Sequence, residues 1–258
     1  TNDFSFYEHL AEWINDEHVD MLDNQTKGLF ASIGIEKGKP FAPDERMKKI
    51  LTEAVAIGNA AARSITYYPR TNMNLAGVEI YPDTQSSWIM AFANKDVFFK
   101  TETGGLNVNA LDMFHYSYTA VTPAMAVTIE GAGSDYAISF LDGEKQILDG
   151  AKAYKLHIPA NVPVNDFWAV TVYDTQTRSL LQTNQQFPTV GSLTEGFKQN
   201  ADGSYDVFLS PNAPVGYENN WLQTIPGKSF LVILRVYGPL KPWIEKTWRP
   251  GEVTLVNE

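Results

Sequence analysis

Two segments, FWAVTVY (residues 167–173) and FLVILRVY (residues 230–237), carry the clearest strand signal in the sequence. Both are rich in β-branched and aromatic residues, which suit a pleated and buried surface. Each is apolar at successive positions, so both of its faces are expected to be covered. They therefore predict two strands in the middle of a β-sandwich, or strands that lie under helices.

Shorter strands are predicted around these two, with turn signals at Asp142-Gly143 and Asp202-Gly203. Many short strands without intervening helices are typical of a β-sandwich rather than an alternating α/β fold. We therefore expect residues 70–258 to form an antiparallel β-sandwich or a jelly roll. The other predicted strands are Val78–Tyr81, Ser87–Ala93, Ala124–Glu130, Tyr136–Leu141, Ala153–Ile158 and Tyr205–Leu209.

Residues 1–69 have a helical pattern instead. In the first segment Phe6, Leu10, Trp13 and Ile14 fall on one face at helical spacing, after Asp3 as a cap. Further helices are predicted around residues 23–33 and from about residue 43 to 67. The predicted fold is thus α+β, with a small N-terminal helical domain (1–69) followed by the sandwich (70–258).

Composition excludes several classes of function. The 258 residues contain no Cys, which excludes disulfides, thiolate metal sites and a cysteine nucleophile. The net charge of −10 argues against nucleic acid as a partner. No apolar run is long enough to predict a membrane span. Localisation is left open, with a periplasmic or secreted location slightly favoured.

Residues 1–26 carry seven Asp or Glu residues and no Lys or Arg. Together with His9 and His18 they could bind a cation, but their spacing matches no metal-binding loop. A solvated helix face, or a face docked on another domain, is the favoured interpretation. We predict no metal and no cofactor. The chain starts at Thr1 without an initiator Met, which suggests a processed or truncated product.

The C-terminal part of the sequence resembles the DUF1214 family through five marks in a fixed order. Gln223 and Gly251 depart from the usual prolines of that family. The resemblance extends over about residues 70–258. The marks are Trp168, Tyr173 and Asp174, then Asp202, Gly203 and Ser204, then Asn220, Trp221 and Leu222, then Arg235, Tyr237 and Pro239, and finally Trp248, Arg249 and Pro250.

This resemblance implies a jelly-roll sandwich and no established reaction. It also implies that the helical segment is similar to the all-α domain that precedes this module in longer proteins. Those proteins usually begin with a DUF1254 domain, a second sandwich. We therefore expect the helical segment to dock on such an N-terminal domain, or the chain to form a homo-oligomer.

Arg235 stands in an otherwise apolar strand and shares a face with Tyr237, two residues away. A buried guanidinium normally has a carboxylate partner, and Asp174 is the first candidate for a structural pair. If Arg235 lacks such a partner, it becomes an anchor for a carboxylate or a sugar-like ligand. The structural pair is favoured. The ligand pocket would be lined by Trp168, Tyr173, Trp221 and Tyr237, with Asn220 beside Trp221.

His115 lies near Asp112 and Tyr116 in the segment DMFHYSYTAV (residues 112–121). A solvent-accessible cluster of this kind could hold an acid–base histidine or a polar ligand. A histidine satisfied in or near the core is the favoured interpretation.

Three functions stay open. The first is a ligand-binding module for a small polar or carbohydrate-like molecule. The second is a hydrolase, whose site lies between the domains or on an N-terminal DUF1254-like domain, with His115, Asp112, Tyr116 and Arg235 as candidate polar groups. The third is a structural half of a larger protein, which predicts an exposed apolar patch.

Overall fold

The computed structural model describes residues 2–67, 77–82, 84–118 and 123–256. The chain divides into two compact units, Thr1–Thr66 and Tyr67–Glu258. None of the described helices is long and apolar enough to cross a membrane.

The first unit is helical. Its helices are α1 (Ser5–Asp16), α2 (Asn24–Ser32) and α3 (Glu45–Tyr67, whose last residue is assigned to the second unit), with a 3₁₀ turn at Val19–Met21. The carboxylate of Asp23 accepts hydrogen bonds from the backbone N–H groups of Gln25 and Thr26, which fixes the start of α2. Tyr7, Ala11, Ile35 and Leu51 form the buried core of this unit.

The second unit is built from two four-stranded sheets, and the predicted α+β sandwich is confirmed. Sheet A has the order β1-β7-β3-β4 and is antiparallel. Sheet B has the order β6-β5-β2-β8 and is mixed, because β5 and β6 run parallel. The strands are β1 (Ser134–Ser139), β2 (Tyr154–Ile158), β3 (Val164–Asp174), β4 (Thr189–Gly191), β5 (Tyr205–Ser210), β6 (Trp221–Gln223), β7 (Phe230–Pro239) and β8 (Val253–Leu255).

Alternation along β3 and β7 separates the core from the outer face of sheet A. Val170 and Val172 of β3, with Val232 and Leu234 of β7, are fully buried between the sheets. They pack in one core cluster with sheet B residues such as Leu156, Val207 and Leu222. Because successive side chains of a strand point to opposite faces, Arg235 and its alternate neighbours lie on the outer face of sheet A.

The described part of this unit also contains three short α-helices, α4 (Val108–Tyr118), α5 (Pro123–Ala126) and α6 (Lys241–Ile244). Helix α4 is missing from the sequence prediction, although its buried residues Ala110, Met113 and Phe114 have helical spacing. Its start is marked by Asn107, whose side chain accepts a hydrogen bond from the N–H of Ala110 at 3.1 Å.

Three of the predicted strands are wrong. Residues 124–130 contain no strand in the structure, and their first part belongs to α5. Residues 78–81 and 87–93 contribute only isolated bridges, between Glu79 and Ile89 and between Ile89 and Ile138. Burial explains the error at 87–93, because Trp88 and Ile89 are core residues, and an apolar run predicts burial better than it predicts a strand.

Replacing Gly191 tests how closely β4 approaches β3. A Cβ at Gly191 would overlap the carbonyl oxygen of Trp168 and lie 2.7 Å from the Cα of Ala169, both backbone atoms that cannot move freely. We expect Gly191→Ala to lower the free energy of unfolding of this unit by about 2 kcal/mol or more. Urea denaturation followed by near-UV circular dichroism measures this loss. Gly105→Ala is the control, because its Cβ would meet only the side-chain oxygen of Thr101 at 3.4 Å. Equal stability of the two variants would contradict the close approach.

Candidate functional site

Arg235 lies in the middle of the outer face of sheet A. Its neighbours in register are Tyr136 on β1 and Ala169 on β3. The side chain is half-buried in a strand whose other residues are mainly apolar. Arg235 is therefore the one charged residue within β7, and its two partners in register, Tyr136 and Ala169, are uncharged.

Three tyrosines surround this cation. The hydroxyl oxygen of Tyr173 accepts a hydrogen bond from Nη2 of Arg235, and that of Tyr237 accepts one from Nη1 at 3.5 Å. The guanidinium carbon lies 5.5 Å from the ring centre of Tyr136 and 5.8 Å from that of Tyr173, within cation–π range. We call Arg235, Tyr136, Tyr173 and Tyr237 the arginine–tyrosine cluster.

Within the described residues, no ion pair joins Arg235 to a carboxylate. Its Nε atom is buried and has no hydrogen-bond partner in that part of the chain. Tyrosine hydroxyls and ring faces thus solvate the guanidinium, but they supply no negative charge. The side chain is therefore ready to accept an anion.

The predicted pairing of Arg235 with Asp174 is wrong. Asp174 is nearly fully buried, and its Oδ2 accepts a hydrogen bond from Nζ of Lys228 at 2.5 Å. Its Oδ1 accepts from the backbone N–H groups of Gln176 at 2.6 Å and Thr177 at 3.3 Å. The strand parity explains the difference, because Asp174 points inward while Arg235 points outward.

A groove of about 500 Å³ runs over β3, β4 and β7 next to Arg235. Tyr237 and Phe167 form one wall, with their rings stacked at 4.1 Å between centres. Phe187 and Leu193 line it as well and are 69% and 75% exposed, which is high for large apolar side chains. We call this apolar cavity, with its single charged residue, the sheet groove.

Trp168, Trp221 and Asn220 do not join the arginine–tyrosine cluster. The ring of Trp168 packs in the interior against Phe197 and Tyr205, although the residue also borders the sheet groove. Trp221 belongs to sheet B, and its Nε1 donates to the carbonyl oxygen of Ser210 at 2.9 Å. Of the four residues predicted to line a pocket at Arg235, Trp168, Tyr173 and Tyr237 border the sheet groove, whereas Trp221 lies in sheet B.

Asn220 is fully buried and has a structural set of partners. Its Nδ2 donates to the carbonyl oxygens of Lys198 and Asp206, and its Oδ1 accepts from the N–H of Lys198 at 2.8 Å. All its polar atoms are occupied by backbone groups, so it closes a loop against β5.

The three polar residues predicted near position 115 lie on α4. Asp112 and His115 are exposed, and the ring of His115 packs on the buried ring of Phe114 at 5.4 Å between centres, so His115 lies beside the core. The ring of Tyr116 contacts the guanidinium of Arg178 at 4.4 Å from its centre, and its hydroxyl is buried without a hydrogen bond in the described part of the chain. No contact in the described structure joins these residues to Arg235.

The sequence interpretation missed Tyr136, Phe167, Phe187 and Leu193 as residues of the site. Strand parity could have found two of them. Phe167 is an even number of residues from Tyr173, and Tyr136 lies at an outward position of β1, opposite Arg235. Phe187 and Leu193 flank β4, a strand too short to leave a periodic signal.

One protein family matches the central part of this unit's sequence. Residues 133–241 match the DUF1214 family, a protein family of unknown function. The predicted resemblance is thereby confirmed for these residues, which carry β1 to β7 and the whole arginine–tyrosine cluster. The match is shorter than the predicted range of 70–258. No curated protein matches the chain.

The solved structures that are similar to the chain include two uncharacterised bacterial proteins. One is the VPA0106 protein from Vibrio parahaemolyticus, with 20% identity and a TM-score of 0.45 over 98% of this chain and 56% of that one. The other is a putative uncharacterized protein from Burkholderia cenocepacia, with 13% identity and a TM-score of 0.34 over 83% of this chain and 43% of that one. The chain thus spans about half the length of the structures it matches.

The dependence of stability on pH tests the role of Asp174 in the DUF1214 segment. Burial raises the pKa of Asp174, but the hydrogen bonds from Lys228 and from the backbone of Gln176 and Thr177 outweigh it and hold the pKa below its ordinary value. A carboxyl group whose pKa is lower in the folded protein than in the unfolded chain stabilises the fold at pH values above its ordinary pKa. This contribution is lost as the pH falls through the pKa of the folded state.

We expect Asp174→Asn to lower the free energy of unfolding by about 2 kcal/mol at pH 7, because an amide N–H₂ would face the Lys228 ammonium. The difference from the unmodified protein should shrink below about pH 4. Urea denaturation at pH 7, 5 and 3 measures both effects. Lys228→Met should raise the pH at which acid unfolding begins. A loss that is the same at every pH would contradict the ionised pair.

Proposed function

We propose that the DUF1214 segment binds a small organic acid, with Arg235 holding its carboxylate in the sheet groove. The observation that carries the proposal is the half-buried guanidinium of Arg235, which has no carboxylate partner among the described residues. Charges taken out of water are costly unless they are paired. A ligand carboxylate supplies that pair.

The size and lining of the sheet groove favour a particular kind of molecule attached to the carboxylate. Its volume of about 500 Å³ lies within the usual range for small-molecule sites. The stacked Phe167 and Tyr237 rings and the exposed Phe187 and Leu193 side chains favour an apolar or aromatic body next to the carboxylate. Among carbohydrate-like ligands, the same contacts favour those that carry a carboxylate.

The hydrolase alternative is supported by one pair on sheet B. Nδ1 of His157 lies 2.8 Å from Oδ1 of Asp206, its neighbour in register. In the described part of the chain no hydroxyl hydrogen-bonds to this histidine, and no group of three His, Cys, Asp or Glu residues is placed to hold a metal ion. The pair lacks a nucleophile, so ligand binding remains the favoured function.

A role in a larger assembly has separate support in the helical unit. Trp13, Met21 and Leu29 are 40%, 54% and 62% exposed. Exposed apolar side chains of this size favour a surface that is covered by a partner.

Calorimetry with 3-phenylpropionate tests the proposed site. We expect Arg235→Gln to weaken binding at least tenfold, because it removes the charge-assisted hydrogen bonds to the carboxylate. Arg235→Lys should recover only part of the affinity, since a lysine lacks the planar fork of donors.

Two controls separate this effect from a general loss of charge or fold. Arg178→Gln removes the same charge outside the groove and should bind like the unmodified protein. The alcohol 3-phenylpropanol should bind weakly to every variant. Equal affinity of Arg235→Gln and the unmodified protein for 3-phenylpropionate, or equal affinity for acid and alcohol, would refute the proposal.

A further inference from the structure

The floor of the sheet groove contains a gap without large side chains. Ala169 of β3 is in register with Arg235 of β7 on one side and with Gly191 of β4 on the other. Residues in register on antiparallel strands share a face of the sheet, so these three form one row on the outer face. Ala169 and Gly191 both line the groove, and their small size therefore leaves the space above this row open.

The backbone explains the small size of Gly191 but not that of Ala169. A Cβ at Gly191 would overlap the carbonyl oxygen of Trp168, so this position excludes other residues whatever the groove holds. Ala169 already carries a Cβ on the groove face and is partly exposed. The backbone contacts that fix Gly191 therefore do not fix Ala169, whose short side chain keeps the floor of the groove open.

Aromatic rings bound the gap at one end. Phe167 and Tyr237 are in register two residues along β3 and β7 from Ala169 and Arg235, and their rings are stacked with 18° between the planes. Both rings line the groove, and Tyr237 is the one ring partner of Phe167 among the described residues. Two residues along a strand span about 7 Å, so a ligand ring above Ala169 comes within the separation at which aromatic rings attract each other.

Uncharged hydroxyl groups bound the gap at the other end. Thr171 and Thr189 are in register, and their hydroxyl oxygens lie 3.0 Å apart. The hydroxyl of Thr189 also donates a hydrogen bond to the carbonyl oxygen of Val170 at 3.2 Å. The two threonines thus satisfy each other and the backbone, which leaves Arg235 beside the gap as the group that attracts a carboxylate.

We propose that the ligand of the sheet groove is an aromatic acid whose ring lies over Ala169 and Gly191, and that the size of Ala169 determines which acids fit. This role of Ala169 rests on the proposed function, in which Arg235 holds the carboxylate. A flat ring approaches the floor closely and pairs with Phe167, whereas a saturated ring of the same carbon count is thicker and lacks the aromatic contact. The class of ligand is thus narrowed from small organic acids to those with a planar ring.

The methyl group of Ala169 reports on the position of the ring directly. In protein labelled with ¹³C at the alanine methyl groups, the signal of Ala169 is assigned by its loss in Ala169→Ser. Titration with 3-phenylpropionate should move this signal upfield, because an aromatic ring above a methyl group shields it. The signal of Ala201, which lies in an exposed turn outside the groove, should stay in place. The saturated acid 3-cyclohexylpropionate should bind about fivefold more weakly and give no upfield shift.

A larger side chain at position 169 tests the gap itself. Ala169→Leu fills the space above the floor and should weaken 3-phenylpropionate binding at least tenfold in calorimetry. Ala201→Leu is the matched control, because it makes the same change in the exposed turn and should bind like the unmodified protein. Ala169→Ser nearly keeps the size of the side chain and should retain most of the affinity. Urea denaturation checks that Ala169→Leu is folded.

The outcomes for Arg235 and Ala169 separate the position of the ring from the acid site. Suppose that Arg235→Gln weakens 3-phenylpropionate binding while the Ala169 signal does not move upfield, or while folded Ala169→Leu binds as well as the unmodified protein. The acid site then stands, and the position of the ring over Ala169 is overturned. Equal affinity for the aromatic and the saturated acid overturns the aromatic class. If Arg235→Gln has no effect on binding, or if 3-phenylpropionate does not bind, both the acid site and the ring position fail.

Discussion

The pairing of β3 with β7 is the constraint on which the rest of the sandwich depends. Its register sets Val170 and Val172 against Leu234 and Val232 on the buried face, where they join sheet B in one core. The same register puts Arg235 on the other face, beside Tyr136 and near Tyr173. A slip of one residue would exchange the two faces, so the core that specifies the register also specifies the place of the cation.

Local charge pairing explains why Arg235 lacks a carboxylate partner in the described structure. Asp174 is held by Lys228 on the inner face of sheet A, and Asp135 is held by Lys95, Thr128 and Trp243. Each of these carboxylates is satisfied by groups closer than Arg235. The protein carries a formal charge of −10, yet no carboxylate among the described residues forms an ion pair with the guanidinium.

Sequence reasoning succeeded where a pattern is local and failed where the site is assembled from distant segments. The apolar and β-branched residues of β3 and β7 predicted two strands in the middle of the sandwich, and the spacing of two residues placed Tyr237 on the same face as Arg235. The outer edge of the sheet groove left no such signal, because Phe187 and Leu193 flank β4, which has only three residues. Helix α4 was missed because its aromatic residues suit strands as well, and only the spacing of its buried residues distinguishes the two.

The five marks of the DUF1214 resemblance differ in what their contacts achieve. Asp202 accepts hydrogen bonds from Ser204 in a turn, Asn220 closes a loop, and Nε1 of Trp248 donates to the carbonyl oxygen of Ala160. The polar groups of these residues find their hydrogen-bond partners within the chain. Their presence in the sequence is therefore explained by the stability of the fold. Arg235 differs, because its Nε is buried without a partner in the described structure and its charge is unpaired. The proposed ligand site therefore rests on Arg235, the marked residue whose contacts in the described structure leave a buried polar atom without a partner.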